Sequence, residues 1–263
     1  MFGGSPTLAI FAITFFSLKY TIMIPGPPKL VICPFCGAMK ELMTLASGNT
    51  IDTIYWSDLK VFAPMLPQVS PVQKCPHCGM YYLEHKQTSL MGCGRGSLEC
   101  GKLNYPEWKE AHHQFCNQAD IVKSTKWWKR LLKSNKCRIA NEKEMMNIKL
   151  WLIQAYNDYY YRYSYYRKRY RQDETNARMP SCEEKKFIVV LIHEFVKSYD
   201  WSNPHKLLLK AELYREANNM EKCSEVLSSI STVEMTDFEK NVYVGIKERM
   251  KKGDTRVFII NEE

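Results

Sequence analysis

The spacing of apolar and polar residues changes character near residue 105. Before that point, short apolar stretches separated by prolines and glycines predict brief strands. After it, apolar residues recur every three or four positions, which is the period of amphipathic helices. The pattern predicts an α+β protein that is mostly α, with a small β-rich head over residues 29–87, a linker over residues 88–104 and an α-helical domain over residues 105–263.

The head is expected to contain short strands joined by turns. The sequence KLVICPFC predicts a strand that runs into a turn, and PGPP at residues 25–28 predicts a break ahead of it. Prolines between residues 64 and 71 predict an extended connection. Further strands are expected around residues 41–46, 51–56, 59–63 and 80–84.

Several helix ends are marked by local signals. Ser181 with Glu184 and Thr236 with Glu239 form capping-box patterns, in which a hydroxyl and a carboxylate satisfy backbone N–H groups of the first turn. Gly253 predicts a stop. The tail at residues 256–260 is expected to form a short strand or a docking segment. Helices are expected over residues 106–120, 121–135, about 141–172, 183–199, 204–217, 220–230 and 236–252.

The sharpest chemical signal is a pair of Cys-Pro-x-Cys-Gly units. Cys33 and Cys36 lie in CPFCG, and Cys75 and Cys78 lie in CPHCG. Each unit presents two thiolates across a tight turn, and two such units complete a tetrahedral four-thiolate site for a structural Zn²⁺. Iron in a rubredoxin-like site is the alternative, because all-sulfur tetrahedral ligation suits either metal. Four protein ligands leave no position for metal catalysis.

A second metal site is a weaker hypothesis. Cys93 and Cys100 frame CGRGSLEC, and a further site would need ligands such as His112, His113 or Cys116. The spacing matches no familiar metal motif. Adjacent histidines on a helix also point to different faces, which argues against joint ligation by His112 and His113.

The double motif followed by helices resembles bacterial zinc-ribbon proteins, in which a double CPxCG head precedes tetratricopeptide-like helices. The resemblance covers about residues 31–85 and includes TIYWSDLKVFAPMLPQVSPVQKCPHCG at residues 53–79. It implies zinc at the four cysteines and implies no enzymatic activity. The cofactor expected from it is therefore structural zinc.

A second resemblance lies in the helical domain. LLLKAELYREANNMEKCSEVLSSI, residues 207–230, is similar to one tetratricopeptide repeat (TPR). Only one clear copy is present, whereas at least three are normally needed for a stable array. A generic helical bundle therefore remains the alternative. The small or apolar residues at the packing positions of that repeat are Ala211, Tyr214, Cys223, Leu227 and Ile230.

The stretch YNDYYYRYSYYRKRYRQ at residues 156–172 combines tyrosines with basic residues. Such a stretch can bind nucleic acid, with rings stacking on bases and Arg or Lys contacting phosphates. Helical spacing favours a different interpretation, in which one face of tyrosines packs in the core and the basic residues form a solvated face. The tyrosines on that face are Tyr156, Tyr159, Tyr163, Tyr166 and Tyr170.

Composition restricts the possible classes of partner and the cellular location but does not identify one partner. The net charge of +9 suits nucleic acid, an anionic membrane or an acidic protein. Ten cysteines, four of them at metal-ligand spacing, fit a reducing compartment, so a cytoplasmic location is expected. The apolar residues 7–24 in a leader over residues 1–28 fit a membrane anchor, a misassigned start ahead of Met23 or, less well, a cleaved signal.

The sequence as a whole predicts a binding protein. It contains no GxSxG, P-loop, dinucleotide-binding or HExxH motif, so an enzyme is the least favoured interpretation. The favoured function is an intracellular adaptor that uses its helical surface for a protein partner. The alternative is a nucleic-acid-binding module that uses the zinc ribbon together with the basic residues 162–171.

Overall fold

The computed structural model of the chain shows a mixed α+β protein in which helices predominate and the sheets are small and antiparallel. It describes residues 24–63, 66, 70–86, 88–90, 103–124, 140–161, 179–233 and 235–260. The strands are β1 (Ile24–Ile32), β2 (Met39–Ser47), β3 (Ile54–Tyr55), β4 (Val61–Phe62), β5 (Val72–Lys74), β6 (Tyr81–Leu83) and β7 (Thr88–Leu90). The helices are α1 (Tyr105–Ser124), α2 (Glu142–Tyr156), α3 (Cys182–Ser198), α4 (Leu207–Glu216), α5 (Met220–Ser229) and α6 (Asp237–Lys251).

The prediction of a break at residues 25–28 is wrong, because β1 runs through the prolines. The ladder between β1 and β2 shifts register between Gly26 and Lys29, so the prolines fall at an irregularity. The other neighbour of β1 is β7, which pairs only with residues 30–32. The prolines therefore remove no hydrogen bond from the β1–β7 ladder, and proline is tolerated where a strand has a free edge.

The sequence pattern missed two strands. β5 pairs with β6 in antiparallel register, although the prolines before it had predicted only an extended connection. β7 completes the sheet in the order β2-β1-β7, within the segment predicted as a linker. Each strand has three residues, which is too short for an alternating pattern to be recognised. The partner strand across the sheet is what makes each of them a strand.

The helices follow their end signals closely. The capping boxes at Ser181 and Thr236 are both formed, with Glu184 and Glu239 closing them. Helix α4 is preceded by a 3₁₀ turn over Pro204–Lys206. Asn218 adopts a positive φ in the turn between α4 and α5, and α6 ends just before Gly253.

Two predicted helix boundaries differ from the structure. Helix α1 continues to Ser124, past the boundary expected at residue 120. The long helix expected over residues 141–172 is interrupted, because α2 ends at Tyr156 and a turn at Asn157 separates it from helical residues 158–161. Residues 125–139 and 162–178 lie outside the described part of the chain.

The residues of the TPR-like segment pack as their spacing predicts. Ala211, Cys223 and Leu227 are buried in one cluster, and Tyr214 and Ile230 pack against it. Both α3 and α6 contact α4, so the pair α4–α5 has a helical neighbour on each side. A bundle of this kind satisfies the same pattern as a repeat array, so the TPR-like arrangement stays a prediction.

The largest hydrophobic cluster joins the head to the helices. It combines Val72, Tyr81 and Leu83 of the strands with residues of α1, α2, α3 and α4 such as Phe115 and Leu152. The Tyr81 hydroxyl also donates to Glu110 Oε2 of α1 at 2.7 Å. The β5–β6 hairpin, which carries the second cysteine pair, is therefore fixed against α1 by both apolar burial and hydrogen bonds.

The C-terminal tail docks onto the head and confirms the expectation for residues 256–260. Ile259 forms an antiparallel bridge with Trp56, and Ile260 N–H donates to the Tyr55 carbonyl at 2.9 Å. Phe258 and Ile260 are buried in the cluster of α4, α5 and α6. The tail therefore pairs with the head through its backbone, and its apolar side chains pack among the helices.

Gly245 on α6 allows Phe258 to approach the helix closely. A Cβ added at Gly245 would lie 2.5 Å from Phe258 Cε2. Gly245→Ala should raise helix propensity by about 1 kcal/mol, yet we expect a net loss of about 1–2 kcal/mol because the buried ring must shift. Urea denaturation measures the change. The exposed Glu248→Ala on the same helix should stay within about 0.5 kcal/mol of the parent, and a stabilised Gly245→Ala would show that the ring contact is unimportant.

A buried polar cluster also ties the head to the helices. Asp58 is 0% exposed and accepts hydrogen bonds from the Tyr161 hydroxyl and from Asn157 Nδ2. The same Asn157 amide donates to Glu216 Oε2 at 2.8 Å. Burial raises the pKa of both Asp58 and Glu216, and only part of this is offset by their hydrogen bonds.

The raised pKa of Glu216 has a predictable effect on stability. The folded protein holds the Glu216 proton more tightly than the unfolded chain does. The protonated carboxyl group therefore contributes its full stabilisation below the unfolded pKa of about 4.3, and this stabilisation is lost as pH rises towards the folded pKa. Glu216→Gln removes this pH-dependent contribution to stability. We expect the variant to gain stability relative to the parent as pH rises above about 4, by at most about 1.4 kcal/mol per pH unit. Denaturation curves at several pH values test this, and equal slopes for the parent and Glu216→Gln would contradict it. The exposed Glu225→Gln should follow the parent.

Candidate metal centre

Each cysteine pair lies in the connection between two antiparallel strands. Cys33 and Cys36 lie between β1 and β2, and Cys75 and Cys78 lie between β5 and β6. The first cysteine of each pair follows directly on a strand, so pairing of the strands fixes its position. The metal-binding turns are therefore parts of two hairpins, and the hairpins bring residues 42 positions apart into one cluster.

The two turns have the same hydrogen-bond pattern. Gly37 N–H donates to the Cys33 carbonyl at 3.0 Å, and Gly79 N–H donates to the Cys75 carbonyl at 2.9 Å. Both glycines have positive φ, 74° and 71°, and a Cβ there would meet no atom within 4 Å. Glycine is favoured at these positions because of the left-handed backbone and not because of crowding.

The four sulfur atoms are spaced as a tetrahedral metal site requires. Cys33 Sγ lies 3.9 Å from Cys78 Sγ, Cys36 Sγ lies 3.7 Å from Cys75 Sγ, and all four ligand atoms are within 4.8 Å of one another. A Zn–S distance of about 2.3 Å gives a tetrahedral S–S edge of about 3.8 Å. A disulfide would instead require about 2.05 Å. The four cysteines can therefore hold one metal ion, as the sequence predicted.

Backbone N–H groups support negative charge on the sulfurs. Phe35 N–H donates to Cys33 Sγ at 3.4 Å. Burial by itself raises the pKa of Cys75, but hydrogen bonds from the backbone of Cys78 and His77 contribute to lowering it to about 7, whereas at Cys33 and Cys78 burial prevails and the pKa is raised. Metal binding requires thiolates, so these N–H groups favour the ligating form of the site.

Tyr82 and Lys40 border the cysteines. Tyr82 is 1% exposed and packs with Cys33 and Cys75. Lys40 Nζ lies 5.6 Å from the centre of the Tyr82 ring and donates to Gln73 Oε1 at 2.8 Å. Four thiolates around a divalent ion leave a net charge of −2, so a nearby ammonium partly compensates it. The sequence indicated no such role for Lys40 or Tyr82, because both lie on strands outside the CPxCG units.

The other candidate ligands do not join this cluster. His77 is exposed on its turn and does not belong to the group of four potential ligands. His112 Nε2 lies 3.6 Å from Cys116 Sγ on α1, and His113 contacts Asn117. Within the described residues, the four cysteines form the single group of three or more potential ligands in metal-binding range. Cys93 and Cys100 lie outside the described residues.

The tyrosine-rich stretch is described only in part. Tyr156 is half-buried against the main core, as predicted, and Tyr159 is also half-buried. The buried tyrosine is Tyr161, which the helical spacing did not select, because the turn at Asn157 changes the phase. Tyr163, Tyr166, Tyr170 and the basic residues 162–171 lie outside the described part of the chain.

The membrane prediction concerns mainly residues 7–23, which the structure does not describe. Across the helices that it does describe, none combines the length and apolar character needed to cross a bilayer.

The fold and the cysteine cluster together define an α+β protein in which four cysteines are positioned to hold a metal ion. Comparison with models of known protein families gives no match, and neither curated proteins nor solved structures show a match to the chain. The geometry of the chain itself therefore carries the functional argument.

Proposed function

We propose that this protein is a zinc-dependent adaptor, in which Cys33, Cys36, Cys75 and Cys78 hold a structural zinc and the helical domain binds a protein partner. The observation that carries the proposal is the convergence of four sulfurs at tetrahedral spacing from two hairpins. Four protein ligands complete the coordination of zinc, so the metal would stabilise the fold and take no part in a reaction.

A structural role is supported by the size of the strands around the site. β5 and β6, which flank the second cysteine pair, have three residues each, although β1 and β2 around the first pair have nine each. Such short strands bury little apolar surface on their own, and small domains with small cores commonly need a metal or another cross-link. Zinc would join the two hairpins at their turns.

The adaptor function is supported by the helical domain and by the state of the cysteines. Seven described cysteines are free, which fits a reducing compartment such as the cytoplasm and agrees with thiolate ligation of zinc. The proposed partner is a protein. The charge of +9 would steer an acidic surface towards the chain but would not by itself define the contact.

Elemental mass spectrometry of the full chain purified under reducing conditions tests the metal. We expect about one zinc per chain, retained in Cys182→Ser and lost in the double variant Cys33→Ser, Cys75→Ser. Cys182 is exposed at the first residue of α3 and serves as the matched control. Iron in place of zinc would redirect the proposal to electron transfer, and a metal-free chain would overturn it.

A salt series tests the class of partner. A protein partner that contacts the helical domain should stay bound as ionic strength rises, and cross-links should map to the helices after residue 180. Nucleic-acid binding would instead weaken steeply with salt. Retention of nucleic acid together with loss of every protein contact would contradict the adaptor function.

A further inference from the structure

A second cavity, far in sequence from the cysteines, lies between α2, α3 and the end of α4. Its volume is ≈ 400 Å³, within the range of small-ligand sites. One side is apolar and comes from α3, and the other carries tyrosine and amide groups. The lining residues include Tyr156, Asn157, Tyr160, Lys185, Val189 and Glu216.

The polar end of this cavity is the carboxyl group of Glu216. Its Oε2 atom accepts a hydrogen bond from Asn157 Nδ2 at 2.8 Å. Its Oε1 atom is buried and has no hydrogen-bond partner among the described residues. A buried polar atom left without a partner is costly, so a donor from beyond the described residues, such as a ligand, is the natural complement to Oε1.

The charges around Glu216 favour a positively charged donor. Asp58 and Glu212 are close enough to raise the pKa of Glu216, after the larger effect of burial. The guanidinium of Arg215 acts to lower the pKa of Glu216, but it is already bound by Glu212 and by two carbonyls of the tail. Glu216 therefore lies beside other carboxyl groups while the Arg215 guanidinium is engaged elsewhere, so a cation on a ligand would lower the cost of ionising Glu216.

The residues that line the cavity limit what a ligand can carry beside its cationic group. Ile188, Val189 and Ile192 of α3 provide an apolar side, and the rings of Tyr156 and Tyr160 can face a cation. Lys185 is exposed, so its ammonium lies at the rim. A second positive charge on the ligand would meet Lys185, so a polyamine fits less well than a single charge on an apolar stem.

We infer that this cavity binds a monocationic ligand, an ammonium or guanidinium group on an apolar stem, with the cation donating to Glu216 Oε1. Such a group occurs on free small molecules and on the lysine or arginine side chains of peptides. The chemistry of recognition is the same for both sources, and the size of what is attached to the stem distinguishes them.

Calorimetric titration of the full chain with n-pentylammonium at pH 7 tests the inference. We expect binding with a millimolar dissociation constant, at least tenfold tighter than for the neutral n-pentanol or the anionic pentanoate. Binding should also tighten as pH rises through the pKa of Glu216, because the cation favours the ionised carboxylate. A second titration with Nα-acetyl-lysine methylamide distinguishes a peptide side chain from a free amine as the natural ligand. Tighter binding than that of n-pentylammonium would indicate a peptide side chain, and weaker binding would indicate a free amine.

Substitutions of residues that line the cavity test whether the ligand binds there. Glu216→Gln should weaken binding of n-pentylammonium at least tenfold, and the exposed Glu225→Gln should leave it unchanged. Val189→Phe, which narrows the cavity without touching the carboxyl group, should weaken binding as well. Absence of binding to the folded parent, equal affinity for n-pentanol, or unchanged affinity in Glu216→Gln would each overturn the inference.

Discussion

Replacing Cys75 by serine is expected to release the metal and unfold the head while the α4–α5–α6 cluster stays folded. Structural zinc contributes about 10–16 kcal/mol in small zinc domains, which is comparable with the whole stability of a typical domain, so losing the metal is expected to unfold the head. Cys75 is 2% exposed and follows directly on β5, which leaves a serine hydroxyl no room to find a different ligand geometry.

Amide hydrogen exchange shows how far this unfolding extends. In Cys75→Ser we expect fast exchange at β5 and β6, and retained protection in α4, where Ala211 is 0% exposed and packs in the cluster shared with α5 and α6. Cys182→Ser is the matched control and should exchange like the parent. Retained protection of β5 and β6 in metal-free Cys75→Ser would show that apolar contacts with α1 hold the hairpin without zinc.

The second large effect is expected at Arg215, a fully buried cation in α4. Its Nε donates to Glu212 Oε2 at 2.8 Å, and its two terminal nitrogens reach the carbonyls of Asp254 and Arg256 in the tail. Arg215→Met keeps the apolar volume but leaves the Glu212 carboxylate without its cation. Breaking a buried pair in this way costs about 3–5 kcal/mol.

Amide hydrogen exchange at individual residues distinguishes loss of the Arg215–Glu212 pair from a general loss of packing. Because Arg215 holds the tail, Arg215→Met should expose the amides of Ser57 and Ile260, which bond across the bridge between the tail and the head. Glu212→Leu combined with Arg215→Met should recover part of the lost stability, since no unpaired carboxylate remains. The exposed Lys222→Met should have little effect. A stable Arg215→Met with a protected tail would refute the role assigned to this pair.

The cysteine site could be predicted from the sequence because its signal is local. Each CPxCG unit contains two ligands and the glycine that the turn requires, so the turn forms wherever the unit occurs. The same holds for the capping boxes at Ser181 and Thr236, whose partners lie three residues away. Interactions within one turn of the chain can be predicted from residue type and spacing alone.

What the tertiary structure decided depends on partners that are distant in sequence. β7 is a strand because β1 provides its ladder, and the tail docks because Trp56 and Tyr55 meet it across some 200 residues. Asp58 and Glu216 have no local pattern, since their shared partner Asn157 lies 99 and 59 residues away from them. The sequence alone determined the metal ligands and most helix ends, through contacts within a few residues. The folded chain determined how the head, helices and tail enclose the buried charges, because burial and charge pairing arise only when distant segments meet.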